Sequence, residues 1–352
     1  MLHAAVKERL LAGAFIPAHP LALKEDRSLD ERSQRALTKY YIDAGVGGIA
    51  VGVHTTQFEI RDPQFGLFER VLQLAMEEIK RANVPDSFIK IAGVCGPTEQ
   101  AIKEAKFIKE TGYDLALLSM GGLADLSEDE LLTRTKEVAK IIPVVGFYLQ
   151  NAVGGRKLSY DFWLQLATIE NVHAIKIAPF NRYQTLDVVR AVCHSHRVYD
   201  LALYTGNDDN IVIDLLTTYR IPVNGQIIEK QIAGGLLGHW SVWVKTAVHY
   251  FELLKKHRCD EQIPVELLTL AAEVTDVNAA FFDPHNDFKG SIAGINEVLA
   301  RQGLLQGNWC LMEHEKLSPK QADEITRVYK DYPHLHDDVF VKENIAKWKD
   351  AK

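Results

Sequence analysis

The chain has 352 residues, a net charge of −7, 47% apolar residues and 25% charged residues, the balance of an ordinary globular protein with room for one large barrel and an appendage. Its lysines and arginines are scattered, which gives no electrostatic reason for a nucleic-acid partner, and no apolar run reaches the ~20 residues of a membrane helix. Cys95, Cys193, Cys259 and Cys310 lie far apart without a Cys-x-x-Cys pair, so neither a disulfide framework nor a zinc knuckle is expected and a reducing cytoplasm fits.

The first apolar stretch, Leu10 to Leu23, follows Lys7 and Arg9 and imitates a short secretory signal. Pro17, His19 and Pro20 interrupt it, and a helix and another strand follow at βα spacing, so it reads as a first strand with its exit loop. Runs rich in Val, Ile, Leu and Ala then recur. The expected strands are Ala14–Ala18, Gly48–Val53, Phe88–Val94, Leu115–Met120, Val144–Leu149, Ala174–Ala178, Leu201–Thr205 and Gly225–Ile228. Helical patterns alternate with them, among them Asp30 to Ala44 and Ser127 to Ile141, where Ser127-x-x-Glu130 reads as a capping box. Strands buried on both faces, each followed by a helix, imply a parallel sheet with right-handed crossovers. Eight such units predict a (β/α)8 TIM barrel, with an open doubly wound sheet as the alternative. The barrel is expected over residues 1–255, and 256–352 as a C-terminal helical region packed on it, with helices at Pro264–Phe282, Asn286–Gln302, Ser318–Tyr332 and Asp338–Lys349.

Within Asn171-Val-His-Ala-Ile-Lys-Ile-Ala-Pro-Phe180 a lysine sits inside an apolar strand. Alternation puts Ala174, Lys176 and Ala178 on one face and Ile175 and Ile177 on the other. If the isoleucines meet the helices, Lys176 points into the barrel, with small alanines leaving space beside it. A buried ammonium without a partner loses its proton more easily, which leaves the nucleophilic amine that imine formation needs. The competing reading is a lysine that snorkels out or pairs with an inward acid such as Glu229. The same parity groups Val144, Gly146 and Tyr148. That would place a phenol at the strand end as a proton relay, or else as a core tyrosine with a satisfied hydroxyl. Gly52-Val-His-Thr-Thr-Gln57 ends the second strand, and its hydroxyls and backbone N–H groups suit a carboxylate.

Other motifs carry less. The acids of Gly206-Asn-Asp-Asp209 are expected as helix N-caps rather than metal ligands, and His334-x-His-Asp-Asp338 has metal-like composition without a spacing partner. Gly234-Gly-Leu-Leu-Gly-His-Trp240 is read as the segment after the eighth strand, serving a phosphate site or close helix packing. There is no His-Glu-x-x-His, Gly-x-Ser-x-Gly or Walker loop. No cofactor or metal is expected.

Taken in order, these stretches resemble the dihydrodipicolinate synthase / N-acetylneuraminate lyase family of class I, Schiff-base aldolases, over nearly the whole chain to about Arg327. The matching pieces are Gly13-Ala-Phe-Ile-Pro-Ala, His54-Thr-Thr, Pro143-Val-Val-Gly-Phe-Tyr, Ala174-Ile-Lys, Gly206-Asn-Asp-Asp and Phe281-Phe-Asp-Pro-His-Asn, together with the 28-residue separation of Tyr148 and Lys176. The resemblance implies that Lys176 forms the imine, that Tyr148 relays protons, and that Thr55 and Thr56 bind the 2-oxo acid carboxylate. It also implies a homo-oligomer, a dimer or tetramer. The chain departs from the family pattern in several places. His54 and Gln57 replace glycines. Ser119-Met-Gly-Gly-Leu lacks the Pro-Tyr-Tyr that lends a second tyrosine, which leaves water, His54 or Tyr204 as substitutes. Leu-Gln-Asn-Ala-Val-Gly-Gly-Arg156 lacks the arginine that would hold a second carboxylate.

The expected activity is therefore a cytoplasmic lyase cleaving a 2-oxo-3-deoxy acid into pyruvate and a hydroxyaldehyde. His54, Gln150, Asn151, Asn181 and Asp208 are candidates for reading the substrate. Dehydration through the same imine and a dihydrodipicolinate synthase-type condensation are the nearest alternatives. A metal-dependent barrel isomerase and a non-catalytic barrel are the alternatives of another class.

Overall fold

The structure is a computed structural model and describes residues 2–350. Seven of the eight expected strands form in place: β1 (Phe15–Pro17), β2 (Gly48–Val51), β3 (Ile89–Val94), β4 (Leu115–Leu118), β5 (Val144–Leu149), β6 (Val172–Ala178) and β7 (Ala202–Thr205). The next two, β8 (Thr218–Val223) and β9 (Gln226–Gln231), form a separate antiparallel hairpin, and β10 (Gly234–Leu237) follows. The large sheet has eight strands in the order β1-β10-β7-β6-β5-β4-β3-β2. A parallel bridge from Ala18 to Ala50 brings its two edges together, so the sheet is a nearly closed (β/α)8 barrel.

The eighth strand is thus a correction. Gly225–Ile228 belongs to the hairpin, whose turn places Asn224 and Gly225 at φ of 51° and 80°, the left-handed pair of a tight two-residue connection. The glycine-rich segment expected after the last strand is itself that strand. Glycine is required there because a Cβ on Gly234 would stand 2.3 Å from the Ala14 carbonyl oxygen, and one on Gly235 would stand 2.7 Å from the Trp240 ring. Glu229, proposed as an inward acid, is exposed on the hairpin and pairs with Arg220.

Helix signals in the sequence act as expected. Asp30 accepts a hydrogen bond from Ser33 N at 3.1 Å to start the helix Glu31–Ala44, and Gly45 ends it at φ 95°. Ser127 and Glu130 form the reciprocal capping box of the helix Glu128–Ala139. Two apolar layers result. Ile16, Ile89, Ile91, Leu115, Leu117 and Val145 fill the barrel interior, while a larger layer joins the strands to the surrounding helices.

Beyond the helix Val244–His257 come Glu266–Phe282, Ser291–Arg301, Gln321–Asp331 and Asp338–Lys349. The last of these lies against Glu31–Ala44, where buried Trp348 donates its indole N–H to Asp43 at 2.7 Å. The link between the first two is knotted on Asp283, which accepts from the Asn286 amide at 2.6 Å and from Gly290 N at 3.3 Å. This knot carries Phe288 over the C-terminal mouth of the barrel. Among the described residues no helix is long and apolar enough to cross a membrane.

Candidate active site

Register decides which side chains reach the barrel's interior. Phe147 of β5 pairs with Lys176 of β6, and Lys176 in turn pairs with Tyr204 of β7, so these three share the inner face. The Lys176 stem needs space, and Gly206 supplies it: a Cβ at that position would stand 2.5 Å from Lys176 Cε. The amine therefore emerges at the C-terminal end of the strands, where catalytic groups of this architecture gather. There it lines a cavity of about 40 Å³ with His54, Thr55, Gln150 and Asp208, room for a small polar fragment or a few waters. The remaining wall is apolar and includes Phe147, Leu149, Phe180, Phe282 and Phe288.

Electrostatics follow from this burial. Lys176 is 7% exposed, and desolvation depresses its ammonium pKa, opposed by the negative charge of Asp208. Desolvation raises Asp208, opposed by a hydrogen bond from His239 N at 2.7 Å and by the lysine. Amine and carboxyl therefore compete for one proton near neutral pH, as coupled buried groups do. His54, half-buried on the cavity, is pushed down to about 4 by desolvation and by the Lys176 charge, so its imidazole is neutral and offers one donor and one acceptor. Phe147 sets its ring centre 4.4 Å from Lys176 Nζ.

The structure gathers some of the expected residues and disperses others. Lys176, His54, Thr55, Gln150 and Asp208 line the cavity. Tyr148 does not. It faces the helix layer, with its ring centre 4.9 Å from that of Trp163 and its hydroxyl accepting from Leu158 N at 3.4 Å. The ring that faces the lysine is Phe147, which has no proton to relay. Tyr204 does point inward but lies toward the opposite end, its hydroxyl donating to Leu10 O at 2.9 Å and accepting from Ala14 N at 3.1 Å.

Thr56 is structural. Its hydroxyl accepts from Gly52 N and Val53 N at 2.9 and 3.1 Å and donates to His19 O at 2.6 Å, which pins the exit of β2. Thr55 keeps a place on the cavity, although its hydroxyl donates to Ala18 O at 2.8 Å. Asn151 is exposed, and Asn181 caps the helix Arg182–His194 by accepting from Gln184 N at 3.1 Å. Arg156 spends its guanidinium on the Leu123 and Leu126 carbonyls at 2.9 and 2.7 Å. Asp208 and Asp209 are not N-caps, since the short helix Ile211–Leu216 starts after Asn210. Among the described residues no cluster of potential metal ligands forms; His334 instead bonds Glu273 at 2.8 Å.

Sequence reasoning overlooked the aromatic wall. Phe180 and Phe288 meet edge-to-face across the mouth with ring centres 5.5 Å apart. Both hold left-handed backbone, at φ 51° and 62°, an expensive conformation for a bulky residue that clusters at functional sites. Asn207 sustains the first by accepting from Phe180 N at 3.0 Å, and the Asp283 carbonyl sustains the second by accepting from Phe288 N at 3.0 Å. Only the proximity of Phe180 to the lysine strand signals any of this in the sequence.

Residues 12–220 match the model of the dihydrodipicolinate synthetase family. Solved structures of similar shape include an N-acetylneuraminate lyase from Fusobacterium nucleatum complexed with pyruvate, at 19% identity, TM-score 0.71, covering 93% of this chain and 99% of that one. A dihydrodipicolinate synthase from Oceanobacillus iheyensis superposes at 15% identity and TM-score 0.74, covering 93% and 99%. A prophage protein of the dihydrodipicolinic acid synthase family from E. coli K12, in complex with pyruvate, does so at 17% and 0.71, covering 92% and 98%. No curated protein matches the sequence.

Proposed function

Because the chain belongs to the dihydrodipicolinate synthetase family, we propose that it is a class I carbon–carbon lyase in which Lys176 forms an imine with a 2-oxo acid and pyruvate is the three-carbon product or donor. The observation that carries this reading is the Lys176 amine, buried at the strand ends on a small cavity that the Asp208 carboxyl also lines.

The substrate carboxylate docks at the turn His54–Thr56, where the opening backbone N–H groups and the neutral imidazole are the donors within the cavity. The unprotonated amine adds to the C2 carbonyl, and the carbinolamine hydroxyl leaves as water with a proton from Asp208. In the protonated imine the C3–C4 bond breaks and its electron pair passes to C3, giving an enamine, while the C4 hydroxyl proton returns to the Asp208 carboxylate. Protonation of C3 and hydrolysis then release pyruvate and restore the amine. Asp208 thus takes the place expected of a tyrosine. The Arg156 guanidinium, committed to two carbonyls, does not serve a second substrate carboxylate, which argues against a dihydrodipicolinate synthase-type condensation.

The test is borohydride reduction in the presence of pyruvate, followed by peptide mass mapping. A reduced pyruvyl adduct is expected on the peptide that carries Lys176, and none on the Lys176→Met variant. A protein that turns over 2-oxo acids without ever acquiring that mass would end the proposal.

A further inference from the structure

The cavity wall offers little to a sugar. Beyond the groups assigned to the imine and the carboxylate, the lining nearest the mouth is Leu149, Val153, Phe180, Phe282 and Phe288, relieved by Ser291 and Gln150. A polyhydroxylated chain lying here would give up water at several hydroxyls and recover few hydrogen bonds, at a net loss. The cavity continues outward into a vestibule of about 220 Å³ that shares His54, Val153, Phe288 and Ser291 with it. Charged groups at the vestibule are Glu59, Asp287 and Glu315 against Lys289, so its field opposes a carboxylate or phosphate at the far end of a substrate.

The two left-handed phenylalanines point the same way. A glycine would hold either loop without strain, yet both positions carry a ring, and the rings meet above the amine. Strained aromatic side chains held by two separate loops are a costly way to cover a mouth, and together they present an apolar surface to whatever lies against them.

Resting on the imine reading, we propose that the C4 substituent released as the aldehyde is uncharged and apolar, an aryl or branched alkyl group held against the wall of Phe180, Phe282 and Phe288. The reaction is then cleavage of a 4-hydroxy-2-oxo acid to pyruvate and an aromatic or aliphatic aldehyde, balanced without any oxidant or cofactor, and run backwards it condenses the two.

The test uses the full chain and the condensation direction. Pyruvate trapping by borohydride is measured first, then pyruvate consumption with benzaldehyde, isobutyraldehyde, glyceraldehyde and succinic semialdehyde. The apolar aldehydes are expected to exceed the other two at least tenfold in kcat/KM. Phe288→Gly, which suits the left-handed backbone and so preserves folding, is expected to reduce the benzaldehyde-to-glyceraldehyde ratio about tenfold, the worth of one aromatic contact. A trapped adduct together with a preference for glyceraldehyde or succinic semialdehyde overturns the aldehyde assignment alone, as does turnover of none of the four. Failure to trap pyruvate at all overturns the imine and this inference with it.

Discussion

Gly206 is the position where a single methyl group separates a chemical role for Lys176 from a packing role. Its φ lies outside the left-handed region, so alanine fits the backbone and the consequence is purely steric. The added Cβ would stand 2.5 Å from Lys176 Cε, 2.8 Å from Ala178 Cβ and 3.1 Å from Lys176 Cγ. Carbon atoms rest about 3.5–4.0 Å apart, so the lysine stem has to swing by about 1 Å. Displacements of that size in a reacting group cost about 100-fold in rate, and crowding of a packed interior costs about 1–3 kcal/mol. Gly206→Ala is therefore expected to slow borohydride-trapped adduct formation with pyruvate about 100-fold while lowering the melting temperature modestly. Gly45→Ala serves as the control. That glycine is left-handed at φ 95° with nothing within 4 Å of its missing Cβ, so the variant should lose about 1 kcal/mol with no change in trapping rate. Trapping at full speed by Gly206→Ala, scored by intact mass, would refute the placement of the amine.

Asp208→Asn removes the anion that holds up the Lys176 pKa, so the neutral amine should persist to lower pH. The acid limb of the trapping profile should move toward acid, while cleavage slows by about 10²–10⁴-fold for want of a proton acceptor; an acid limb that stays put contradicts the coupling. Tyr148→Phe gives up one long hydrogen bond at 3.4 Å on the outer face and should retain activity within about twofold with a stability loss under about 1 kcal/mol; a collapse in kcat would place the phenol at the chemistry. His19 and His239 are buried and His54 is half-buried, and desolvation pushes them down to about 4, about 3 and about 4. Since their folded values lie below the unfolded one, stability is full above about pH 6.5 and drains as the pH falls toward 4. Thermal melts from pH 7 to 4.5 should fall by an amount equivalent to several kcal/mol, and a flat profile would show that the three rings are not held neutral by the fold.

Seven strands were legible because buried parallel strands, such as Ile89–Val94 and Val144–Leu149, read as short apolar runs. The eighth was not, because the Ala14 backbone crowds Gly234 and the Trp240 ring crowds Gly235 until no side chain fits, and a four-residue strand that opens on two glycines carries little β signal. The hairpin beside it looked like a barrel strand because Ile227 and Ile228 are apolar. The Asn224-Gly225 turn was the available warning, since that dipeptide specifies an antiparallel return and a barrel strand needs a parallel one.

Of the expected site residues Tyr148, Thr56, Asn151 and Asn181 lie off the cavity, and Tyr148 shows the physical reason most plainly. Parity along a strand separates its two faces but does not say which face looks inward, and a slip of one residue exchanges them all. In β6 the flanking isoleucines pointed to an inward Lys176, with an outward or acid-paired lysine left open. In β5 both Phe147 and Tyr148 are aromatic and both neighbours are apolar, and the pairing with β6 shifts between Val144 and Val145, so the composition was indifferent to the choice. What the register then fixes is coherent. With Phe147 inward, the strand face beside the amine carries no phenol, and burial lifts the carboxyl of Asp208 into the range where it can exchange protons near neutral pH. The lining that denies the cavity a tyrosine's proton is largely apolar, and the aspartate enclosed within the same lining holds its own proton more tightly, so wall and acid belong to one arrangement.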